Sequence, residues 1–203
     1  MKSSEQEILP IIGTSMGAGF YAGRTMIDGQ AYALIVAPKA EGEIADQEWI
    51  GGYKDVPGAL SYHDGAANTK AMAEAGSVLA QWAMDLTIGG HRDWYIPSQD
   101  ELEIIYRNLK PTTKENSQWV RSGINLSAMP PTRPYAAKSP AQTQAEAFRE
   151  GGEQAFEDRA YWTSTQRAEG SSFAWCQYFS GGTQVYSGKL SELRARAVRR
   201  LPI

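Results

Sequence analysis

Six places in this chain carry residue types capable of chemistry. Gly13-Thr14-Ser15-Met16-Gly17 has the G-x-S-x-G spacing of a nucleophile elbow. That motif works only where a strand precedes the serine and a helix follows it, so that the hydroxyl stands on a strained turn. Here a glycine-rich, β-prone stretch follows, and the only candidate bases, His63 and His91, come early in the chain. Gly17-Ala18-Gly19 begins a dinucleotide fingerprint, but the third glycine is out of place and no helix pattern follows. His63-Asp64 and His91-Arg92-Asp93 have no metal-ligand spacing and read as turn residues. Asp100, Glu101 and Glu103 crowd the start of a predicted helix, where carboxylates favour the helix dipole. Cys176, the sole cysteine, lies in a predicted strand with no base nearby in sequence and reads as a buried, inert thiol. The expectation is a non-enzymatic domain with no metal and no cofactor.

Composition narrows the alternatives. The 203 residues suit one large domain or a domain with a tail. Twenty Lys and Arg against 23 Asp and Glu leave no basic surplus for neutralising phosphates, so no nucleic-acid partner is expected. No apolar run is long enough to span a bilayer, and the first residues lack a basic, then apolar, leader pattern. The protein is therefore expected to be made in a cytoplasm, and any extracellular role needs another export route, such as virion assembly and lysis. A single cysteine allows no internal disulfide. Twenty glycines, ten tyrosines and six tryptophans suit a loop-rich β framework, and Tyr and Trp also supply rigid, amphipathic contact area for binding.

These groups need elements to position them. Residues 1–18 read as an arm, with Leu9, Pro10, Ile11 and Ile12 as its apolar, partner-docking stretch, and 19–203 as the domain. Phe20 to Ile27 and Gln30 to Ala37 flank Asp28-Gly29, a hairpin signal. Trp49 to Tyr53 reads as a short strand. Met72, Ala75, Leu79, Trp82 and Leu86 share one helical face in a helix predicted from Gly65 to Leu86. Ser98 and Glu101 form a capping box opening a second helix, whose apolar face is Leu102, Ile105, Tyr106 and Leu109. Residues 111–160, rich in proline, read as a long loop insertion with one short helix near 141–150. Tyr161 to Thr165 is a strand. Phe173 to Ser180 and Thr183 to Ser187 make a hairpin about Gly181-Gly182, and Leu193 to Leu201 closes the chain.

Alternation places Trp175, Gln177 and Phe179 on one face of that hairpin, with Trp175 and Phe179 in the core. Trp82, Trp94 and Trp162 are expected to be buried as well. Tyr178 then faces out, and with Ser180, Thr183, Gln184, Tyr186 and Ser187 it forms the expected ligand-binding ring. Tyrosine with small polar residues is what an adaptable binding surface uses.

Four motifs in order carry a resemblance. Asp93-Trp94-Tyr95-Ile96-Pro97-Ser98-Gln99-Asp100-Glu101-Leu102 resembles a "WRLPT-x-x-EL" signature. Tyr161-Trp162-Thr163-Ser164-Thr165 resembles a "YWSST" strand, and Ala174-Trp175-Cys176-Gln177-Tyr178-Phe179 with Gly181-Gly182 an "AW…F…G" hairpin. Arg196-Ala197-Val198-Arg199 resembles a closing "VRPVR" strand. The pattern, over about residues 60–203, is similar to the bacterial and phage domain family that includes the C-terminal domain of the Legionella collagen-like protein. Two departures stand out: the 111–160 insertion, and Gln177 where an apolar residue is usual.

The resemblance implies an α+β, C-type lectin-like fold, also similar to the formylglycine-generating enzyme. It implies two helices on small antiparallel sheets, with the last hairpin as the binding face. It implies binding rather than catalysis, since the paired catalytic cysteines of the formylglycine-generating enzyme have no counterpart around Cys176. The front, Gly19 to Arg24 with Asp28 to Lys39, resembles proteins encoded by tailed phages. The expected function is therefore a tail-fibre or tail-tip protein binding a host-surface receptor, glycan or protein. Its arm would dock on other virion proteins, and a homo-oligomer, by preference a trimer, is expected. The alternative is a structural virion decoration that binds only neighbouring subunits.

Overall fold

The structure is a computed structural model and describes residues 9–119 and 121–203. The elements in order are β1 (Ser15–Met16), β2 (Gly19–Ile27), β3 (Gln30–Val36), α1 (Lys39–Gly42), β4 (Glu43–Gln47), α2 (Gly65–Glu74), α3 (Val78–Asp85), α4 (Gln99–Leu109), β5 (Ala160–Gln166), β6 (Phe173–Tyr178), β7 (Gln184–Gly188), β8 (Leu193–Arg196) and β9 (Val198–Pro202). Strands β1-β2-β3-β9 form one antiparallel sheet, with β2 and β3 joined through Asp28-Gly29 as expected. Strands β4-β8-β5-β6-β7 form a second sheet, antiparallel except where β5 meets β8. The fold is α+β with two sheets. The closing strand expected over 193–201 is two strands in two sheets. Fully buried Ala197 lies at the crossing, its N–H donating to the Gly42 carbonyl and its own carbonyl accepting from the Ala37 N–H.

The helix expected from Gly65 to Leu86 is broken into α2 and α3. Gly76 adopts a positive φ of 94°, which ends α2. The Ser77 hydroxyl then caps α3 by accepting from the Ala80 N–H and donates to the Trp49 carbonyl at 2.6 Å. Met72 and Leu79 remain on one buried face, as the spacing required, while Trp82 and Leu86 are only half-buried. The short strand expected at 49–53 is a bend, and the strand lies just before it, at β4.

The second predicted helix is α4, opened by the Ser98–Glu101 capping box. Its apolar face packs as predicted, but its polar face is buried too. The long insertion wraps over that face and is pinned by it. Lys110 Nζ donates to Asn116 Oδ1 and Pro140 O, and also to Lys114 O. Asn116 Nδ2 reaches the carbonyls of Ala136, Ala137 and Pro140. Arg107 donates to Gly123 O and Arg133 O. The insertion thus gains its order from Arg107, Lys110 and its own Asn116, whose side chains satisfy its loose carbonyls, not from secondary structure of its own. Among the described residues, its single helical piece is a 3-10 turn at Glu146–Phe148.

The arm expectation needs correction. Residues 1–8 lie outside the described residues, but Leu9, Ile12, Met16 and Ala18 pack against the core beneath the first sheet. The Gly13 N–H donates to the Tyr21 carbonyl, and β1 pairs with β2. Residues 9–18 therefore contribute to the domain itself, because four apolar side chains and an edge pairing offset the cost of ordering a short segment. Ile11 alone of the four docking residues stands clear, 82% exposed, with Leu9, Pro10 and Ile12 half-buried.

Every residue of β5 is buried, since the second sheet is covered on both sides. Tyr161 points to α4, joining Tyr106, Phe156 and Phe179. Trp162 points to α2 and α3, joining Trp49, Met72, Leu79 and Cys176. Ser15 sits in β1 rather than on a strand-to-helix turn, so the elbow-like motif is a coincidence of spacing. Burial pushes the Cys176 thiol up to about 12. Native protein at neutral pH is therefore expected to resist alkylation by iodoacetamide, and urea-unfolded protein to react fully; equal labelling of both would show that this core opens readily.

Candidate ligand-binding face

The hairpin register sets the site. Trp175 pairs with Tyr186, and Gln177 with Gln184. Opposed residues share a sheet face, so these four side chains line one side. Ala174, Cys176 and Tyr178, with Val185 and Ser187, line the other. The expected phase is inverted in part. Ala174, Cys176 and Val185 face the apolar core with Trp49 and Trp162. Trp175 is buried, but against Tyr62 and Tyr186. Alternation could not reveal this, because covering both faces of the strand removes the contrast between inside and outside. Phe179 does lie in the core, stacked on Phe156.

The predicted ring is split accordingly. Tyr186 and Gln184 are on the Trp175 face, Tyr178 and Ser187 on the other, and Ser180 and Thr183 are half-buried in the turn. Gln184 is fully buried, and its Oε1 accepts the Gly123 N–H at 2.8 Å. Ser187 Oγ bonds Ser191 Oγ. Tyr178, 42% exposed, lines a separate polar hollow of about 410 Å³ with Asp46, Arg159 and Arg194. The turn is held against α4 at Gly182, where a β-carbon would come within 2.3 Å of the Tyr106 ring.

Facing Trp175 and the two glutamines are the start of α4 and the insertion. Asp100 Oδ1 lies 2.9 Å from Arg121 Nη1, an ion pair whose atoms are not aligned as a hydrogen bond. Asp100 Oδ2 accepts from Ser127 Oγ, and the Arg121 guanidinium lies over the Tyr62 ring at 4.7 Å. Gln177 Nε2 donates to the Tyr135 hydroxyl at 3.1 Å, which donates to Glu103 at 3.1 Å. Desolvation raises the Glu103 carboxyl above its ordinary range, against the pull of Arg107. The two departures from the resembling pattern, Gln177 and the insertion, are thus partners: the loop brings Tyr135 to the polar residue in the strand.

The face also holds polar groups without partners. Both side-chain atoms of Gln99, Trp175 Nε1, Gln177 Oε1 and Gln184 Nε2 are buried with no hydrogen-bond partner among the described residues. Leaving such a group unsatisfied costs about 1–3 kcal/mol, so a concentration of them marks a place where water or a ligand completes the set. Elsewhere, two adjoining hollows of about 470 and 540 Å³ run past Ile11, Arg24, Met129, Pro130 and Pro131. They are mainly apolar, and none of these unpartnered groups lines them. Of the residues on this face, the sequence reading singles out Gln184 and Tyr186, and does not single out Tyr62, Gln99, Arg121 or the polar use of Trp175. No local pattern joins these positions; only the packing of the insertion does.

The sequence motifs meet in space. Arg199 of the closing strand forms a two-pronged bond to Asp93, at 2.8 and 2.9 Å. The Ser164 N–H of β5 donates to the Pro97 carbonyl ahead of α4. The Trp49 indole N–H donates to the Thr163 carbonyl. No curated protein matches the chain. Among solved structures, a fimbrial protein from Bacteroides ovatus overlays with a TM-score of 0.42 at 11% identity, covering 82% of this chain and 35% of that chain. A likeness of that order establishes neither a shared fold nor a shared function. The family comparison covers the segment in which these motifs interlock: the Lcl C-terminal domain matches residues 49–199, and the chain belongs to that family.

Proposed function

We propose that this chain is a recognition domain that binds a host-surface receptor through the Trp175–Tyr186 face of its hairpin, carried at the tail fibre or tail tip of a phage. The Lcl C-terminal domain family is one of receptor- and adhesin-type domains, which supports the recognition reading. The observation that carries it is the cluster of buried, unpartnered amide and indole groups beside the half-exposed Tyr62 and Tyr186. A purely structural surface gains nothing from such groups. The phage setting rests on the resemblance of residues 19–39. A C-type lectin-like reading of the fold draws on β2, β3 and β9 sharing one sheet and on the long loop laid over the second. Purified protein should compete with particles for adsorption to host cells, and immunogold microscopy should place it at the tail. Labelling on the capsid without competition would favour a decoration protein instead.

In this reading Ile11 and its neighbouring groove face other virion subunits or further copies in a trimer. Removing residues 1–12 would disturb the core through Leu9 and Ile12, so Ile11→Ser is the cleaner change. It is expected to leave the melting temperature nearly unchanged and to lower the mass in solution or the incorporation into particles. Unchanged mass and incorporation would remove Ile11 from any interface.

A further inference from the structure

We infer that Lys189 and Gln166 join in an intramolecular amide bond, the lysine amine displacing ammonia from the glutamine side chain. The inference is independent of the recognition reading above. Lys189 Nζ donates to Gln166 Oε1 at 2.5 Å and to the Lys54 carbonyl at 2.6 Å. The carbon to be attacked lies one C=O bond, about 1.2 Å, beyond that glutamine oxygen, so the reacting atoms are held close to attack range. Both side chains are buried, and Nζ lies 4.3 Å from the centre of the Trp49 ring. The lysine backbone is fixed as well. Its N–H donates to the Ser172 carbonyl, and its own carbonyl accepts from the Trp49 N–H.

The surroundings favour the neutral, nucleophilic amine. An ammonium has three N–H groups to satisfy, whereas Nζ has two oxygen acceptors and no ion pair among the described residues. Desolvation lowers the amine to about 8, against the pull of Asp55. The amide is primed at both ends. The Val56 N–H donates to Gln166 Oε1 at 2.8 Å, where charge collects as the nitrogen adds. Gln166 Nε2 donates to Asp55 Oδ1 at 2.7 Å. Nζ gives its lone pair to the side-chain carbonyl carbon, and the π electrons move to Oε1. Asp55 takes the proton that Nζ sheds and passes it to Nε2, since both nitrogens then sit on one carbon beside its carboxylate. The bond from that carbon to Nε2 breaks, ammonia leaves and the carbonyl reforms. Lys110 and Asn116 make a similar pair at 2.9 Å. There Nζ has three oxygen acceptors, and the Asn116 amide donates only to backbone carbonyls. That lysine is a satisfied ammonium and stays unjoined. Gln166 ends β5 and Lys189 follows β7, so the new bond closes a covalent loop around β6 and β7, the hairpin that bears the Trp175–Tyr186 face.

The test is mass spectrometry of the full native chain, held for days in mildly alkaline buffer and then digested with trypsin. The intact mass is expected to fall short of the sequence by one ammonia. Trypsin cannot cut after a joined Lys189, so residues 160–167 should appear bonded to 168–194. Lys189→Met and Gln166→Leu should each abolish this product. Asp55→Ala should slow its appearance by about a hundredfold. Full mass in the wild-type chain, with 160–167, 168–189 and 190–194 as separate peptides, would overturn the inference. So would a missing ammonia located at Lys110 and Asn116, or a joined product that persists in Gln166→Leu. Formation at the wild-type rate in Asp55→Ala would overturn the proton transfer assigned to that carboxylate.

Discussion

Replacing Glu101 with alanine is expected to destabilise the domain by about 3–5 kcal/mol. The carboxylate is fully buried and accepts three hydrogen bonds: from the Ser98 N–H at 2.8 Å, the Gly65 N–H at 3.2 Å and the Tyr95 hydroxyl at 2.6 Å. These donors belong to the start of α4, the start of α2 and the segment that bridges to β9. Alanine leaves all three buried without an acceptor. Urea unfolding measures the loss, and a cost below about 1 kcal/mol would mean that the helix starts are held by packing alone. Desolvation pushes the Glu101 carboxyl above its ordinary range, opposed by its hydrogen-bond donors and Arg200. The folded state then keeps this proton to higher pH than the unfolded chain. Its contribution is complete below the ordinary carboxylate range and declines as pH rises through the raised value. Glu101→Gln, which cannot titrate, should remove that part of the pH dependence.

Trp162→Ala is expected to cost about 3–5 kcal/mol. The side chain is fully buried between β5 and the α2–α3 pair, and its indole N–H donates to the Gln47 carbonyl at 2.8 Å. Truncation opens a cavity and strands that carbonyl. Trp162→Phe keeps most of the volume and should cost less, so the difference between the two separates cavity from hydrogen bond. Equal losses would show that the indole bond, not the volume, is decisive.

What sequence could show here depended on how local the cause was. Asp28-Gly29 and the Ser98–Glu101 capping box act within a few residues, and both elements formed as read. The α2–α3 break also has a local cause, but the apolar spacing runs straight through Gly76 and masks it. The hairpin was legible as a hairpin, yet its facing was not. Ala174, Trp175, Cys176 and Gln177 are all buried, so the strand carries no inside-outside contrast. The candidate site depends on contacts across more than forty positions, such as Tyr135 with Gln177 and Gly123 with Gln184. Its partner loop has almost no regular structure to announce where it lies. Glu103, Arg107, Lys110 and Asn116 look like surface polar residues in sequence and prove to be the clamps of that loop.

The central claim is that one face of the hairpin recognises the ligand. The sharpest measurement compares attachment of wild-type protein, Tyr186→Ala and Tyr178→Ala to host cells by flow cytometry. Both tyrosines are partly exposed and lie on opposite faces of the same two strands, so both variants should fold alike. The account predicts that Tyr186→Ala loses about 2 kcal/mol or more of binding while Tyr178→Ala binds as wild type. Loss on Tyr178→Ala with Tyr186→Ala unaffected would contradict it and move the site to the hollow lined by Asp46, Arg159 and Arg194.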